Sequence, residues 1–220
     1  MAKVAVVLAG CGVYDGSEIY ESVVTLLSLD SHDVKYQCFA PDIPQLHVVN
    51  HLTGAVVEGE SRNVLIEAAR LARGNICSLA ELAVEDYDAV IFPGGFGVAK
   101  NLCTFATEGT NMTINPEVAR VAKAFADAGK PAGYICIAPS MVASIYGSGV
   151  KCTIGNDEQT AQALEAMGAS HVSCTVDDVV IDKDHKVVTT PAYMLAERIS
   201  EAAAGISKLV DQVLMLIGQD

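Results

Sequence analysis

The sequence predicts an α/β fold with a mainly parallel central sheet. Three runs, at residues 4–9, 88–92 and 132–135, are almost continuously apolar. Strands of this kind are usually covered on both faces, as central parallel strands are. Each run is followed by a glycine-rich or sharp turn and then by a helical pattern, and this alternation favours parallel pairing. With 51% hydrophobic and 19% charged residues among 220, we expect one ordered domain, 1–220.

The composition argues against several classes of function. A formal net charge of −13 would repel phosphate backbones, so nucleic acid is not an expected partner. No run approaches the ~18 apolar residues that cross a bilayer, and the first residues lack a signal-peptide pattern. We therefore expect no membrane association and a cytoplasmic location, or a mitochondrial one if this is a mature eukaryotic chain. Seven scattered cysteines without a C-x-x-C pair disfavour disulfides and zinc, and we expect no metal and no cofactor.

The first strand, residues 4–9, ends in a glycine-rich stretch at residues 10–16. The glycines follow the pattern G-x-G-x-x-x-G, which misses the dinucleotide-binding fingerprint. We expect them to form a tight turn with its backbone close to a pocket. A nucleotide-binding module remains an alternative.

Asp15 opens the first predicted helix, and Glu18 can complete a capping box with it. Glu18 also has a functional interpretation, because open α/β sheets bind ligands just past the carboxyl ends of their strands. The helix is expected to bury the apolar residues that recur at helical spacing: Ile19, Val23, Leu26 and Leu27.

The next segment adds a strand at residues 34–39, an irregular stretch at 46–60 and a helix that begins near residue 61. The irregular stretch is longer than an ordinary connection, so we interpret it as an excursion over a sheet edge or a dimer surface. His51 within it is either a site residue or a hydrogen-bonded loop residue.

Gly94 and Gly95 follow the strand at residues 88–92. Two successive glycines leave backbone N–H groups accessible, which suits an oxyanion hole, although an ordinary turn is the alternative. Residues 115–117, Asn-Pro-Glu, then begin another helix with an asparagine cap and a proline in its first turn.

Cys136 is the candidate nucleophile, because it lies where the strand at residues 132–135 meets a helix that begins with Ala138 and Pro139. Backbone N–H groups and the positive end of a helix dipole favour the thiolate, which is the reactive form of cysteine. The alternative is an ordinary buried cysteine that packs as a small hydrophobe.

The last third of the chain is expected to end in a long helix over residues 194–217. A turn at residues 182–185 should place His185 at an exposed tip. The other predicted elements are helices at residues 141–146 and 159–167 and strands at 150–154, 172–176, 179–181 and 187–189.

Four segments, at residues 93–97, 99–102, 135–139 and 189–192, resemble the class I glutamine-amidotransferase-like superfamily. That superfamily also contains intracellular proteases and the parkinsonism-associated deglycase. Residues 9–19 and 61–65 look most similar to the bacterial enhancing-lycopene-biosynthesis proteins and their mitochondrial relatives. The resemblance implies a flavodoxin-like three-layer sandwich, usually a homodimer. It also implies weak, cofactor-independent glyoxalase III-like activity, or deglycase activity in eukaryotic members.

Carried over residue by residue, the resemblance makes Cys136 the nucleophile and Glu18 the carboxylic acid that hydrogen-bonds it. Gly95 and Ile137 match the backbone donors of the oxyanion hole, with Gly94 beside them as a substrate-binding residue. The candidate supporting residues behind the site are Asp15, Asn156 and Pro191.

One departure from the superfamily narrows the chemistry. Its catalytic histidine would fall within residues 153–157, where this chain has no histidine. Glutaminase and peptidase activities, which need an imidazole, are therefore not expected. His51 or His171 could take that place only through a detail of the fold.

The leading hypothesis is an enzyme that converts a small 2-oxoaldehyde, methylglyoxal or glyoxal, to a 2-hydroxy acid through a cysteine hemithioacetal. The alternative is a non-enzymatic redox sensor or a metabolite-binding accessory protein in isoprenoid or mitochondrial metabolism.

Overall fold

The computed structural model describes residues 2–219, and a seven-stranded sheet runs through the middle of them. The strands in chain order are β1 (Lys3–Val7), β2 (Lys35–Ala40), β3 (Val49–Asn50), β4 (Ala55–Val56), β5 (Ile76–Ser78), β6 (Ala89–Phe92), β7 (Ala132–Ile135), β8 (Lys151–Cys152), β9 (Ser170–His171), β10 (Val180–Asp182) and β11 (Val187–Thr190). The central sheet has the order β10-β11-β7-β6-β1-β2-β5, and every neighbouring pair is parallel except β10 and β11. Two small sheets, β3 with β4 and β8 with β9, lie outside it.

Helices cover both faces of the central sheet, which confirms the three-layer sandwich. The helices are α1 (Ile19–Ser31), α2 (Val64–Leu71), α3 (Phe105–Glu108), α4 (Pro116–Asp127), α5 (Val142–Tyr146), α6 (Glu158–Ala166) and α7 (Ile199–Leu216). Alternate residues of β1 point to opposite faces, as the two-residue period of a strand requires. Val4 and Val6 join a core with α1, α2 and α7, whereas Ala5 and Val7 join a core with α4, α5 and α6. Among the described residues, no helix is long and apolar enough to cross a membrane.

Four parallel strands bring their carboxyl ends to one edge of the sheet. The strand β1 pairs with β6, β6 pairs with β7, and β7 pairs with β11. Consequently the loops that follow these strands are neighbours in space although they are far apart in sequence. This edge is where open α/β sheets place their ligand sites.

The prediction for the buried face of α1 is wrong. Ile19, Val23 and Leu27 are 42%, 47% and 59% exposed. The face that is buried carries Glu21, Ser22, Thr25, Ser28 and Leu29.

Close packing of α1 against α7 explains this inversion, because small hydroxyl side chains let two helices approach. The Ser28 and Ser207 hydroxyls are 3.0 Å apart. Ser22 and Thr25 donate to backbone carbonyls one turn earlier, both at 2.7 Å, so their burial leaves no unpaired hydroxyl.

Several predicted elements of the last third also differ from the structure. Of the strand expected at residues 150–154, only Lys151–Cys152 forms, and it pairs with β9 instead of the central sheet. Residues 172–176 contain no strand, and α7 begins only at Ile199. His185 is half-buried instead of exposed at a tip, because its ring lies 3.1 Å from the Asp182 carboxylate.

Candidate active site

Cys136 follows β7 directly and has a left-handed backbone, with φ of 62°. Its N–H donates to the carbonyl of Thr190 at the end of β11, at 3.0 Å. A 3-10 turn at Ala138–Met141 leads from it into the short helix α5. This sharp reversal between strand and helical turn is the elbow geometry predicted for a nucleophile. The residue is only 8% exposed.

Two backbone N–H groups point at the sulfur atom of Cys136. They belong to Ile137, the next residue, and to Gly95 in the loop after β6. Gly95 has a φ of 98°, and a Cβ there would lie 2.4 Å from the Glu18 nitrogen, so only glycine fits. The expected oxyanion donors therefore lie beside the thiol.

Gly94 does not offer its N–H group to a substrate, contrary to the prediction. That N–H donates to Oε2 of Glu21 at 2.9 Å. A Cβ on Gly94 would lie 2.5 Å from the Cβ of Cys136, so the position must stay small. The role of Gly94 is to let the thiol and the carboxyl group approach each other.

The carboxyl group that shares a hydrogen bond with the Cys136 thiol belongs to Glu21, not to Glu18 as the resemblance implied. Glu21 lies on the buried face of α1, and its Oε1 also accepts from the N–H of Tyr193 at 3.2 Å. Glu18 is the N-cap of α1, where its Oε2 accepts from the N–H of Glu21 at 2.7 Å. The two acids therefore have different positions, one behind the thiol and one at the start of the helix.

The surroundings of Glu21 favour its protonated form. Burial, and then the charge of Glu18, raise the pKa of Glu21 to about 8, although hydrogen bonds from Tyr193, Cys136 and Gly94 oppose the shift. Near neutral pH most of this carboxyl is therefore the neutral acid.

Burial and the negative charge of Glu21 raise the pKa of the Cys136 thiol, while the N–H groups of Gly95 and Ile137 lower it. The effect of that charge disappears once Glu21 carries its proton. A thiolate at Cys136 is therefore most favoured when the thiol proton resides on Glu21.

A cavity of about 280 Å³ opens in front of the thiol. Glu18 lines it, and burial raises the pKa of Glu18 against the opposing N–H groups at the helix start. Glu21 lies behind the wall and is fully buried. The remaining lining residues are Val13, Gly95, Phe96, Ala99, Phe105, Ala106, Cys136, Ile137, Thr160, Tyr193 and Met194.

The three predicted supporting residues have different fates. Asp15 is buried but holds the 46–60 loop, because its Oδ2 accepts from the Val49 N–H at 2.7 Å. Asn156 is exposed and lines a separate depression. Pro191 begins the turn that presents the Tyr193 N–H to the acid, so it alone lies next to the site.

The histidines do not complete the site. Nε2 of His51 accepts from the Tyr14 N–H at 3.2 Å, and Nε2 of His171 accepts from the Ile154 N–H at 3.3 Å. None of the five histidines, all of which the structure describes, lines the cavity. Within residues 2–219 no group of acidic, histidine and cysteine side chains could hold a metal ion.

Sequence reasoning missed Glu21 and the Tyr193 N–H. The available signal for Glu21 was its place within a run of hydroxyl residues at helical spacing, with Ser22, Thr25 and Ser28. The Tyr193 donor depends on a left-handed Ala192, with φ of 43°, for which the sequence carries no clear signal.

No protein-family model matches the chain. The sequence is 48% identical over 227 residues to the human mitochondrial glutamine amidotransferase-like class 1 domain-containing protein 3, covering 99% of this chain and 84% of that protein. It is 34% identical over 208 residues to the zebrafish mitochondrial ES1 protein, covering 87% of this chain and 77% of that one.

Solved structures share the fold. An isoprenoid biosynthesis protein with an amidotransferase-like domain from Ehrlichia chaffeensis superimposes with a TM-score of 0.92 and 36% identity, covering 98% of this chain and 99% of that one. Glyoxalase III from Candida albicans superimposes with a TM-score of 0.65 but only 13% identity, covering 98% and 97% of the two chains. The second likeness shows a common fold alone.

Proposed function

Because the chain belongs to the glutamine amidotransferase-like class 1 family that includes the ES1 proteins, we propose that its cysteine site is a cofactor-independent glyoxalase III-like centre. It would convert 2-oxoaldehydes such as methylglyoxal and glyoxal to 2-hydroxy acids. The observation that carries the proposal is the Cys136 thiol, which is hydrogen-bonded to buried Glu21, receives two backbone N–H groups and faces a mostly apolar cavity.

In the first step the Cys136 thiol gives its proton to the carboxylate form of Glu21, to which it is hydrogen-bonded, and the thiolate attacks the aldehyde carbon. A carbon–sulfur bond forms, and the π electrons of the carbonyl move to its oxygen. The N–H groups of Gly95 and Ile137 stabilise that oxygen, and Glu18, the carboxyl group in the cavity wall, supplies the proton that converts it to a hemithioacetal hydroxyl. Burial raises the pKa of Glu18, which favours the protonated form that this step needs.

In the second step a proton moves from the sulfur-bearing carbon to the neighbouring carbonyl carbon, and the proton of the new hydroxyl group moves to the carbonyl oxygen of that neighbour. Glu18 is the carboxyl group that lines the cavity, so we assign the transfer to it. The first carbon loses two electrons and the second gains them, which gives the thioester of a 2-hydroxy acid without an external oxidant. Water then cleaves the thioester, releases the acid and returns the thiol.

Lactate formation from methylglyoxal tests the proposal. Cys136→Ala is expected to abolish it, whereas Cys174→Ala, at a half-exposed cysteine outside the cavity, should not change it. Glu18→Gln should lower kcat by about 10²-fold or more, the usual contribution of a positioned acid or base. Unchanged lactate production by Cys136→Ala would falsify the proposal.

The second candidate is an accessory or redox-sensing protein without turnover. The Ehrlichia relative is an isoprenoid biosynthesis protein, and this similarity favours an accessory role. Rapid oxidation favours low-pKa, accessible thiols, and Cys136 is buried with a raised pKa. Intact-mass measurement after mild peroxide decides: fast single oxidation at Cys136 with negligible turnover supports sensing.

The relatives also bear on location. The human, rat and zebrafish proteins are named as mitochondrial, so we propose a mitochondrial location as the alternative to the cytoplasmic one.

A further inference from the structure

The walls of the cavity in front of Cys136 are mostly apolar. At about 280 Å³ it has room for roughly nine water molecules at ~30 Å³ each. Methylglyoxal has only about five non-hydrogen atoms and would leave much of this space unfilled, whereas pockets of this kind normally enclose most of their ligand. The apolar side chains that line the space are Val13, Phe96, Ala99, Phe105, Ala106, Ile137 and Met194.

Aromatic and sulfur-containing side chains form part of this wall. Phe96 is 51% exposed although its N–H is anchored to the Val13 carbonyl at 2.8 Å, so an apolar ring faces the opening of the cavity. Phe105, at the start of α3, is partly buried against the core and lines the same space with Met194. Aromatic faces and a thioether interact favourably with an aromatic ligand at their edges and faces.

The charge around the cavity disfavours an anion. Glu18 places a carboxyl group in its wall, and no lysine, arginine or histidine of residues 2–219 lines it. Lys100 lies 5.7 Å from the centre of the Phe96 ring, but its ammonium group donates to the Tyr14 carbonyl at 2.7 Å. A negatively charged ligand would therefore lose its hydration within a wall that contains no cationic side chain.

We propose, on the basis of the function proposed above, that the preferred substrates are uncharged 2-oxoaldehydes with an aromatic or similarly bulky apolar substituent. Phenylglyoxal represents the class, and its product is mandelate. The thiol adds to the aldehyde carbon and forms a hemithioacetal. The C–H proton of that carbon moves to the ketone carbon and the hydroxyl proton to the ketone oxygen, which gives a thioester. Water then breaks the carbon–sulfur bond and releases the acid. One carbon is oxidised and its neighbour reduced, so the atoms and electrons balance as they do for methylglyoxal.

The experiment compares kcat/KM for methylglyoxal, phenylglyoxal and 4-carboxyphenylglyoxal, with Cys136→Ala as the blank. The kcat/KM for phenylglyoxal is expected to exceed that for methylglyoxal by at least about tenfold, because the phenyl group fills apolar space that methylglyoxal leaves empty. The charged analogue, similar in size, should fall at least about tenfold below phenylglyoxal.

Two variants localise the effect. Phe105→Ala removes apolar contact that the phenyl group can make and methylglyoxal cannot. It should therefore lower the ratio of the phenylglyoxal kcat/KM to the methylglyoxal kcat/KM by at least about fivefold. Leu52→Ala removes an apolar side chain that is 93% exposed on the β3–β4 loop, and it should leave the ratio unchanged. Thermal melting of each variant confirms that it is folded.

Turnover of methylglyoxal equal to or better than that of phenylglyoxal would overturn the substrate class and leave the proposed function standing. No turnover of any of the three would instead overturn the proposed function. In that case the preference of the cavity for uncharged aromatic ligands is tested separately, by asking which aldehydes protect Cys136 from iodoacetamide. Reversible addition of an aldehyde to the thiol does not require turnover. Protection by benzaldehyde at a tenfold lower concentration than 4-carboxybenzaldehyde supports the inference, and equal protection refutes it.

Discussion

Replacing Glu21 with glutamine should change how the free energy of unfolding depends on pH. The pKa of this carboxyl is raised from an ordinary value of 4.5 to about 8. Between these values the unfolded chain releases the proton while the folded protein keeps it. The stability that the acid form contributes is therefore complete below pH 4.5 and is lost as the pH rises through 8.

The magnitude follows from the width of that window. Each pH unit is worth about 1.36 kcal/mol, so the parent protein should lose about 3 kcal/mol between pH 5 and pH 7.5 because of this one group. Glu21→Gln cannot titrate and should not show this loss. The amide of the glutamine has one acceptor oxygen in place of the two that accept from Gly94 and Tyr193. The lost hydrogen bond lowers the free energy of unfolding of the variant by an amount that does not depend on pH.

Urea unfolding of both proteins at pH 5, 6, 7 and 7.5 measures the difference, in which the titrations shared by the two proteins cancel. Glu58→Gln, which removes an exposed carboxylate from the 46–60 loop, controls for the loss of one negative charge. A difference between parent and Glu21→Gln that stays constant over the whole range would refute a protonated Glu21 in the folded protein.

Two further predictions concern packing around the site. Gly94→Ala should abolish turnover and destabilise the fold by about 1–3 kcal/mol, because its Cβ would meet the Cβ of Cys136 at 2.5 Å. Gly54→Ala, with no atom within 4 Å, should stay active, although its φ of 72° costs about 1–2 kcal/mol of backbone strain. An active Gly94→Ala enzyme would contradict the reasoning. Asp15→Ala should speed amide hydrogen exchange across residues 46–60 by about tenfold or more, because the buried Val49 N–H loses its acceptor. Turnover should stay intact. Unchanged exchange would show that other contacts hold this segment.

Much of the fold could be predicted from the sequence because buried parallel strands are continuously apolar. The runs that became β1, β6 and β7 were placed correctly, and so was the edge at which their carboxyl ends meet. The elbow at Cys136 was also predictable, since a strand, a small turn and a proline follow one another locally. These features depend on neighbouring residues, which a sequence displays directly.

The partner of the thiol could not be predicted in the same way. Glu18 and Glu21 are one helical turn apart, and the choice between them depends on which way α1 faces. Hydrophobic periodicity predicted the wrong buried face for α1. The helix buries hydroxyl groups that donate to its own carbonyls, and it exposes Ile19, Val23 and Leu27. The orientation is set by contact with α7, about 180 residues later, and no local pattern reports it.

The left-handed backbone of Cys136 costs folding free energy at the residue that carries the candidate nucleophile. A side chain with a Cβ in this conformation costs about 1–2 kcal/mol, and glycine avoids most of that cost. Cys136→Gly would remove that strain together with a buried side chain, whose loss costs stability of similar size. The surrounding fold therefore holds this residue in a conformation that it disfavours locally, and as a result its sulfur faces the cavity.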